Sequence, residues 1–293
     1  MTVSLAVRCP AKVNLTLEVL GRRPDGYHEL RTVFQAISLA DELVLVRDRA
    51  ADPLVVSGFA TPVADNLCLQ ALAAFRELRP VPDDLVLRLH KRIPVGAGLG
   101  GGSSDAAGVL VALDRWFGPV GDEALRQLAS ALGSDVAFFR HGGTMLGQGR
   151  GEVLSALPSL PPTWLVVAWP QQHLSTREAY AALRPEDFTA GAHTTALVRA
   201  LETGCGLREL AEGMYNVFER PVLKLCPQIA QAKHGLLRAG SQAALLSGSG
   251  AAVFGVFPGA ASAQRAALEL RQAGLWATAA VTISGGVEVA EAT

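Results

Sequence analysis

The chain has 293 residues, of which 49% are hydrophobic and 18% charged, a balance that excludes an intrinsically disordered protein. Its net charge of −1 offers no basic footprint to a nucleic acid, and its 30 glycines follow no Gly-X-Y period, which excludes a collagen-like chain. The length predicts two domains. We place their boundary at a proline-rich segment, which gives domains over residues 1–157 and 158–293.

The pattern along the first half predicts strands followed by helices. Runs of β-branched residues and leucine predict strands over residues 3–7, 13–19, 33–38, 43–46 and 54–56. Next come a helix over 65–78, an alternating strand over 84–93, a glycine-rich loop over 94–104, and helices over 105–116 and 122–132. Five more glycines between Gly142 and Gly151 indicate only a tight loop before a strand.

The second half begins after the linker prolines Pro158, Pro161 and Pro162. The pattern predicts a strand over 164–169, helices over 176–183, 207–219 and 222–238, a strand pair within 243–257, a helix over 261–273 and a strand over 277–289. Because strands and helices do not alternate regularly, the order favours an α+β fold over a doubly wound parallel sheet.

The cysteines and the longest uncharged stretch bear on location. Four dispersed cysteines predict buried, reduced thiols of a cytoplasmic protein: Cys9, Cys68, Cys205 and Cys226. The N-terminal residues lack the pattern of a signal peptide. No charge occurs between Arg238 and Arg265, but glycines and Pro258 interrupt this stretch. It therefore predicts two short strands and no membrane span.

The glycine-rich loop is the clearest functional signal. Five of the seven residues from Gly96 to Gly102 are glycine, and the loop runs directly into a helix. Glycine allows a ligand to approach the backbone closely, and a helix N-terminus presents unpaired N–H groups to an anion. Ser103 and Ser104 add hydroxyls and N-cap capacity. The loop therefore predicts a phosphate-binding site rather than a flexible connector.

Three kinds of phosphate loop have to be distinguished. Gly96-x-Gly98-x-x-Gly101 matches the dinucleotide fingerprint, but the following helix leads to Gly118 and a second helix instead of the required strand. A Walker loop needs a lysine after the glycines, and a protein kinase needs an H-R-D-type catalytic loop; neither is present. An oxidoreductase therefore stays a weak alternative.

Three motifs resemble those of the GHMP small-molecule kinases. The glycine loop from Pro94 to Ala107 is similar to their P-x-x-x-G-L-G-S-S-A signature. Pro10-Ala-Lys-Val-Asn-Leu-Thr16 precedes it, and Leu246-Ser-Gly-Ser-Gly-Ala-Ala-Val-Phe254 follows it, in the order of that family. Residues 22–30, with their Gly26-Tyr-His turn, resemble the branch that acts on 4-diphosphocytidyl-2-C-methyl-D-erythritol, as do Asp65-Asn-Leu67, residues 133–139, Tyr215-Asn216 and Glu219.

The resemblance implies a two-domain GHMP-kinase-like architecture with the active site in the interdomain cleft. It implies ATP-dependent phosphorylation of the 2-hydroxyl of that substrate in the non-mevalonate isoprenoid pathway, with ATP and Mg²⁺ as cofactors. The catalytic residues would be Lys12 and Asp135. The implied ATP-binding residues are Asn66, Lys91, Pro94, Val95, Gly96, Ala97, Gly98, Leu99, Gly100, Gly101, Gly102, Ser103 and Ser104. The implied substrate-binding residues are Asn14, Tyr27, His28, Thr176, Tyr180, Gly248 and Ser249.

Each of these side chains also has a structural interpretation. Alternation places Lys12 on a strand face that would ordinarily be solvated, and Asp135 would ordinarily cap a helix. Tyr27 and His28 could be packing residues and Tyr180 a core residue, while Lys91 could lie on the surface of its strand. The pattern leaves the Mg²⁺ ligands open, with Ser104 and Asp105 as candidates.

The alternatives to this reading are few. Another GHMP-type kinase could act on a different alcohol, and an N-terminal nucleic-acid-binding module is disfavoured by the near-neutral charge. We expect no nucleic acid and no membrane as partners, and a monomer or a weak dimer.

Overall fold

The computed structural model of the protein describes residues 4–59 and 66–292. Asp65, predicted as the first residue of a helix, lies outside the described residues. Two sheets and ten α-helices form the fold, within this described part of the chain. The strands are β1 (Ser4–Arg22), β2 (His28–Arg47), β3 (Leu54–Gly58), β4 (Leu85–Lys91), β5 (Thr144–Gly149), β6 (Val153–Ala156), β7 (Trp164–Trp169), β8 (Tyr215–Asn216), β9 (Ala243–Leu246), β10 (Val253–Phe257), β11 (Trp276–Val281) and β12 (Glu288–Ala292).

The helices follow the same order along the chain. They are α1 (Leu67–Arg76), α2 (Gly101–Phe117), α3 (Asp122–Leu132), α4 (Val136–His141), α5 (Thr176–Ala181), α6 (Ala192–Thr203), α7 (Leu207–Gly213), α8 (Glu219–Leu225), α9 (Pro227–Arg238) and α10 (Ala260–Gln272). A short 3₁₀ turn covers Pro185–Asp187. None of the helices in the described residues has both the length and the apolar composition to cross a bilayer.

The first sheet is built on the long strands β1 and β2, which form an antiparallel pair. Its order is β12-β1-β2-β4-β3; in addition β5 pairs with β2, β6 pairs with β5, and β8 pairs with β1. Helices α1 to α4 contribute their apolar faces to the core that the first sheet covers. The second sheet has the order β11-β7-β10-β9 and packs against α9 and α10. The mixed architecture confirms the predicted α+β fold.

Strand β12 shows that the sheets do not follow the order of the chain. Although it lies near the end of the sequence, it pairs with β1, with Ser4 opposite Ala292 and Arg8 opposite Glu288. Strand β8 also joins the first sheet, through Thr16 and Leu17. The division of the chain at residues 157 and 158 stays a prediction.

Several predicted elements are wrong in extent. Val3, the first residue of one predicted strand, lies outside the described residues. The remainder of the strands predicted over 3–7 and 13–19 forms one strand, β1, which passes Pro10 with a register shift. The strands predicted over 33–38 and 43–46 are likewise both part of β2. The helix predicted over 207–219 is broken at Met214–Phe218, and Pro227, which lacks an N–H donor, starts a new helix within the predicted 222–238.

Other predictions differ at the termini or in burial. The predicted strand 277–289 is two strands, β11 and β12, in different sheets. Helix α6 was not predicted at all. The predicted strand pair within 243–257 is confirmed as β9 and β10. The four cysteines are free, but only Cys9 and Cys68 are buried, so the prediction of four buried thiols is half wrong.

Candidate active site

The glycine loop connects β4 to α2 and takes backbone conformations that only glycine adopts readily. Gly96, Gly98 and Gly100 have φ angles of +67°, +78° and +72°. Helix α2 begins at Gly101, within the predicted loop, because Gly100 rather than a serine is its N-cap. The N-cap role predicted for Ser103 and Ser104 is therefore wrong: both lie in the first turn of the helix.

The loop lines a cavity of about 350 Å³ that the predicted nucleotide-binding residues share. Asn66 caps α1 through its side chain, which accepts a hydrogen bond from the Cys68 N–H at 2.9 Å, and it forms one wall. The lining residues are Asn66, Leu67, Lys91, Pro94–Ser103 and Asp105. The cavity therefore brings together every predicted ATP-binding residue except Ser104, which lies buried beneath it.

Lys91 is buried in this wall, so its interpretation as a surface residue is wrong. Its ammonium donates to Asp41 and, at 2.6 Å, to Asp105. Burial alone would lower the pKa of Lys91, but the two carboxylates outweigh it and raise the pKa. Burial raises the pKa of Asp105 to about 7 against the opposing effect of Lys91. Asp41 also accepts from the backbone N–H groups of Arg92 and Ile93, at 2.5 and 2.8 Å, and so holds the start of the glycine loop.

The third motif forms the turn between β9 and β10 and packs directly on the glycine loop. The Ser247 hydroxyl donates to the Gly98 carbonyl at 3.0 Å, and the Ala252 N–H donates to the Ala97 carbonyl at 2.9 Å. The buried Asn216 amide donates to the carbonyls of Leu246 and Gly248, both at 2.8 Å. Loops from the two sheets therefore meet at this point.

Lys12 lies between these two loops. Its backbone N–H donates to the Leu99 carbonyl at 3.0 Å, and its ammonium lies 3.5 Å from the Asp135 carboxylate. Lys12, Asn14, Thr16 and Glu18 are all buried, so the alternative interpretation of this strand face as solvated is wrong. One reason is that α6 covers this end of the face: the Thr194 N–H donates to Glu18 at 2.7 Å.

Asp135 occupies the N-cap position of α4 without making a cap hydrogen bond. Its ordinary capping interpretation is therefore wrong, and its side chain keeps 29% exposure beside Lys12. The carboxylate is open to a ligand in the cleft.

The predicted substrate-binding residues fall into two groups. The His28 and Tyr180 rings lie 4.8 Å apart, and Phe188 contacts His28 edge-on at 6.0 Å. Tyr27 is 55% exposed, with the Arg150 guanidinium 4.9 Å above its ring. Partial burial, and then the nearby Arg22, lower the pKa of His28, so its imidazole is held neutral.

The second group joins α5 to the third motif. The Ser249 hydroxyl donates to the Thr176 hydroxyl at 3.3 Å, and Gly248 lies beside the Lys12 ammonium.

Burial, and secondarily the Asp135 carboxylate, raise the pKa of Tyr180, so its phenol stays protonated. Its ring packs on Phe218 at 4.8 Å and on His28, so Tyr180 links the hydrophobic core to the rings of His28 and Phe188.

Sequence reasoning missed several residues of this site. Asp41, with Glu42 after it, separates two apolar runs, and its position within one continuous strand is the signal that could have marked it. Asn216 lay in a quoted motif but received no role. Thr32 and Arg150 gave no signal, because their positions depend on sheet pairing.

Comparison with known proteins points to one family. The model of the GHMP kinases N terminal domain matches residues 66–143, and that of the GHMP kinases C terminal domain matches residues 198–274. The chain is 42% identical to the 4-diphosphocytidyl-2-C-methyl-D-erythritol kinase of Symbiobacterium thermophilum, over 87% of this chain and 91% of that protein. It is 43% identical to the protein of the same name from Pelotomaculum thermopropionicum, over 89% and 92%.

Solved structures agree with these relatives. A crystal structure of 4-(cytidine 5'-diphospho)-2C-methyl-D-erythritol kinase superposes with a TM-score of 0.81 at 40% identity, covering 96% of this chain and 99% of that chain. A homoserine kinase from Cytophaga hutchinsonii superposes with a TM-score of 0.74 at 18% identity, covering 98% and 97%, which shows a shared fold alone.

Proposed function

The chain belongs to the GHMP kinases, and we propose that it phosphorylates the 2-hydroxyl of 4-diphosphocytidyl-2-C-methyl-D-erythritol with ATP, giving the 2-phosphate and ADP. This is a step of the non-mevalonate route to isoprenoid precursors. The observation that carries the proposal is sequence identity of about two fifths, over nearly the whole chain, to proteins named 4-diphosphocytidyl-2-C-methyl-D-erythritol kinase. The free cysteines support a cytoplasmic location.

We propose that the glycine loop holds the phosphates of ATP. The first N–H groups of α2 have no partners within the helix and carry the positive end of its dipole. The cavity beside Asn66 then takes the nucleoside. Because two carboxylates already hold its ammonium, Lys91 serves as a wall of this cavity rather than as a phosphate ligand.

Asp135 is the proposed base and Lys12 the proposed cation. Transfer of a phosphoryl group to an alcohol needs a positioned base and compensation of negative charge at the transferred group. The Asp135 carboxylate takes the proton of the attacking hydroxyl. The Lys12 ammonium, 3.5 Å away, orients that carboxylate and offsets charge on the phosphoryl oxygens.

The residues at the loop fit a magnesium ion that arrives with ATP. Within residues 4–59 and 66–292, no three His, Cys, Asp or Glu side chains are grouped to hold a metal. Kinase sites bind Mg²⁺ through one or two protein oxygens, with phosphates and water completing the set. The Ser104 hydroxyl and Asp105 Oδ1 are both buried without a hydrogen-bond partner. Ser104 suits this role better, because the other oxygen of Asp105 is engaged with Lys91. The ion would neutralise phosphate charge.

The cluster of Tyr27, His28, Tyr180 and Phe188 is the proposed cytidine site. The exposed Tyr27 ring and the neutral His28 suit an uncharged, planar base, and Tyr180 supports His28 from below. Thr176, Gly248 and Ser249 lie between this group and Lys12, where the remainder of the substrate would extend. Asn14 is bonded to Lys12 and would act close to the reacting hydroxyl.

A panel of alcohols with ATP tests the proposal. ADP release is measured with 4-diphosphocytidyl-2-C-methyl-D-erythritol, homoserine, mevalonate and galactose. We expect turnover with the first alone; turnover confined to any of the other three would identify a different GHMP-type kinase.

Two variants test the base. Asp135→Asn should lower kcat by about 10²–10⁴ with unchanged folding, the usual contribution of a general base. Asp122→Asn is the matched control, because Asp122 is an exposed carboxylate on the neighbouring helix that pairs with Arg140 at 2.6 Å. Near-normal turnover of Asp135→Asn would refute the assignment.

A further inference from the structure

We propose that Thr32 is a positioning residue that fixes the Asn14 amide and, through it, the Lys12 ammonium. The inference rests on the proposed phosphoryl transfer. Lys12 donates to Asn14 Oδ1 at 2.8 Å, and Asn14 Nδ2 donates to the Thr32 hydroxyl at 2.7 Å. The Thr32 hydroxyl in turn lies 2.5 Å from the Thr16 carbonyl. One chain of hydrogen bonds therefore joins the proposed catalytic cation to the backbone of β1.

The direction of each hydrogen bond in this chain follows from the last acceptor, the Thr16 carbonyl. A carbonyl oxygen only accepts, so the Thr32 hydroxyl must donate its proton to Thr16. Its lone pairs then face Asn14, and only the amide nitrogen of Asn14 can donate to them. The amide oxygen is thereby turned toward Lys12, whose ammonium can only donate. Thr32 thus selects one of the two orientations of the Asn14 amide.

Without the Thr32 hydroxyl the Asn14 amide loses the acceptor that holds its Nδ2, and the bond to Lys12 is left to restrain its orientation. A rotated Asn14 amide would point its NH₂ group at the Lys12 ammonium, placing donor against donor. In the native orientation the Lys12 ammonium donates to Asn14 and lies 3.5 Å from the Asp135 carboxylate. Its remaining N–H groups are then available to the carboxylate and to the phosphoryl group, and Gly248 lies beside the ammonium.

The surroundings hold Thr32 rigidly. It is completely buried on β2, opposite Leu17 of β1 and Gly147 of β5. A Cβ added at Gly147 would lie 3.1 Å from the Thr32 methyl and 2.5 Å from the Phe34 ring. The absence of a side chain at Gly147 therefore leaves room for both, and the Phe34 ring in turn lies 5.4 Å from the Lys12 ammonium.

Kinetics of two Thr32 variants test the proposal. Thr32→Val keeps the shape and removes the hydroxyl, and should lower kcat by about tenfold or more, as small displacements of a catalytic group do. The KM for ATP should stay within about twofold, because the glycine loop is untouched. Thr32→Ser restores the hydroxyl and should recover most of kcat.

Thr144→Val is the matched control. Thr144 is a similarly buried threonine of the same sheet, and its hydroxyl donates to Gln35 at 2.6 Å. We expect it to lose stability as Thr32→Val does but to retain kcat. Equal loss of kcat in both Val variants, or no rescue by Thr32→Ser, would overturn the proposal.

A second measurement does not depend on turnover. The chain contains only three asparagines, so ¹⁵N-asparagine labelling yields three pairs of side-chain amide signals, from Asn14, Asn66 and Asn216. In Thr32→Val the Asn14 pair should shift and exchange faster with solvent, while the other two stay in place; Thr32→Ala serves if the valine variant does not fold. An unmoved Asn14 pair overturns the inference. Failure of the wild type in the alcohol panel would instead refute the proposed function.

Discussion

The contact between the glycine loop and the third motif makes Gly98→Ala a sharp test of the cleft. A Cβ at Gly98 would lie 2.2 Å from the Ser247 carbonyl oxygen and 3.0 Å from that of Gly250. Both atoms belong to backbone, so one of the two loops has to move. Gly96→Ala is the matched control: its φ of +67° is close to the +78° of Gly98, but the added Cβ meets only His173, at 3.6 Å.

The expected magnitudes differ between the two variants. Both pay about 1–2 kcal/mol of unfolding free energy for placing alanine in the left-handed region. Gly98→Ala should lose about 1–3 kcal/mol more, because it overpacks a close contact. The required loop movement is about 1 Å, which at a reacting centre lowers turnover by about 10²-fold. Gly96→Ala should lose less turnover than Gly98→Ala, since its added Cβ does not force the loop to move even though Gly96 also lines the proposed ATP cavity.

Urea unfolding and ATP-dependent ADP release measure these two effects. Unfolding is followed by circular dichroism, and kcat and KM for ATP are determined for wild type and both variants. If Gly96→Ala and Gly98→Ala lose stability and kcat to the same extent, the backbone conformation alone accounts for the effect. The argument from the contact between the two loops would then be refuted.

Two further predictions concern stability. Gly142→Ala should unfold far more readily than Gly121→Ala, since both glycines have positive φ but only at Gly142 would a Cβ strike backbone, 2.1 Å from the Gly285 carbonyl oxygen; equal denaturation midpoints would contradict this. The folded Asp105, whose pKa is raised to about 7, binds a proton that the unfolded chain releases near its ordinary pKa of about 4, so the free energy of unfolding should fall as pH rises across this window. Asp105→Asn should flatten that fall in urea titrations at several pH values, and a variant with the wild-type slope would disprove the assignment.

The sequence predicts the parts of the site that depend on local chemistry. The positive φ angles of the glycine loop follow from its composition, and the helix after it follows from periodicity. Alternation correctly placed Lys12 and Asn14 on one face of a strand. It could not show that this face is buried, because the covering helix α6 comes from nearly two hundred residues further along the chain.

The residues that were missed are those defined by tertiary contacts. Asp41 becomes significant only when β2 and β4 pair and bring it to Lys91. The prediction of one tight loop for the glycines from Gly142 to Gly151 is wrong in part, because Gly147 and Gly149 lie within β5. At Gly142 and Gly143, residues 284–286 pass so close that an added Cβ would strike their backbone. No local sequence pattern predicts such a contact, since the partner segment lies about 140 residues away in the chain.

The pairing of β12 with β1 has a consequence for how the protein folds. Residues 288–292 complete the edge of a sheet whose first strand begins at Ser4, so the second sheet lies entirely within the intervening loop. Contacts this distant in sequence slow folding, because a long loop must close before they form. During folding, the strands of the first sheet should remain partly unprotected until β12 pairs with β1. The two sheets should unfold in a single cooperative transition. Fragments cut between the two sheets should accordingly be unstable alone.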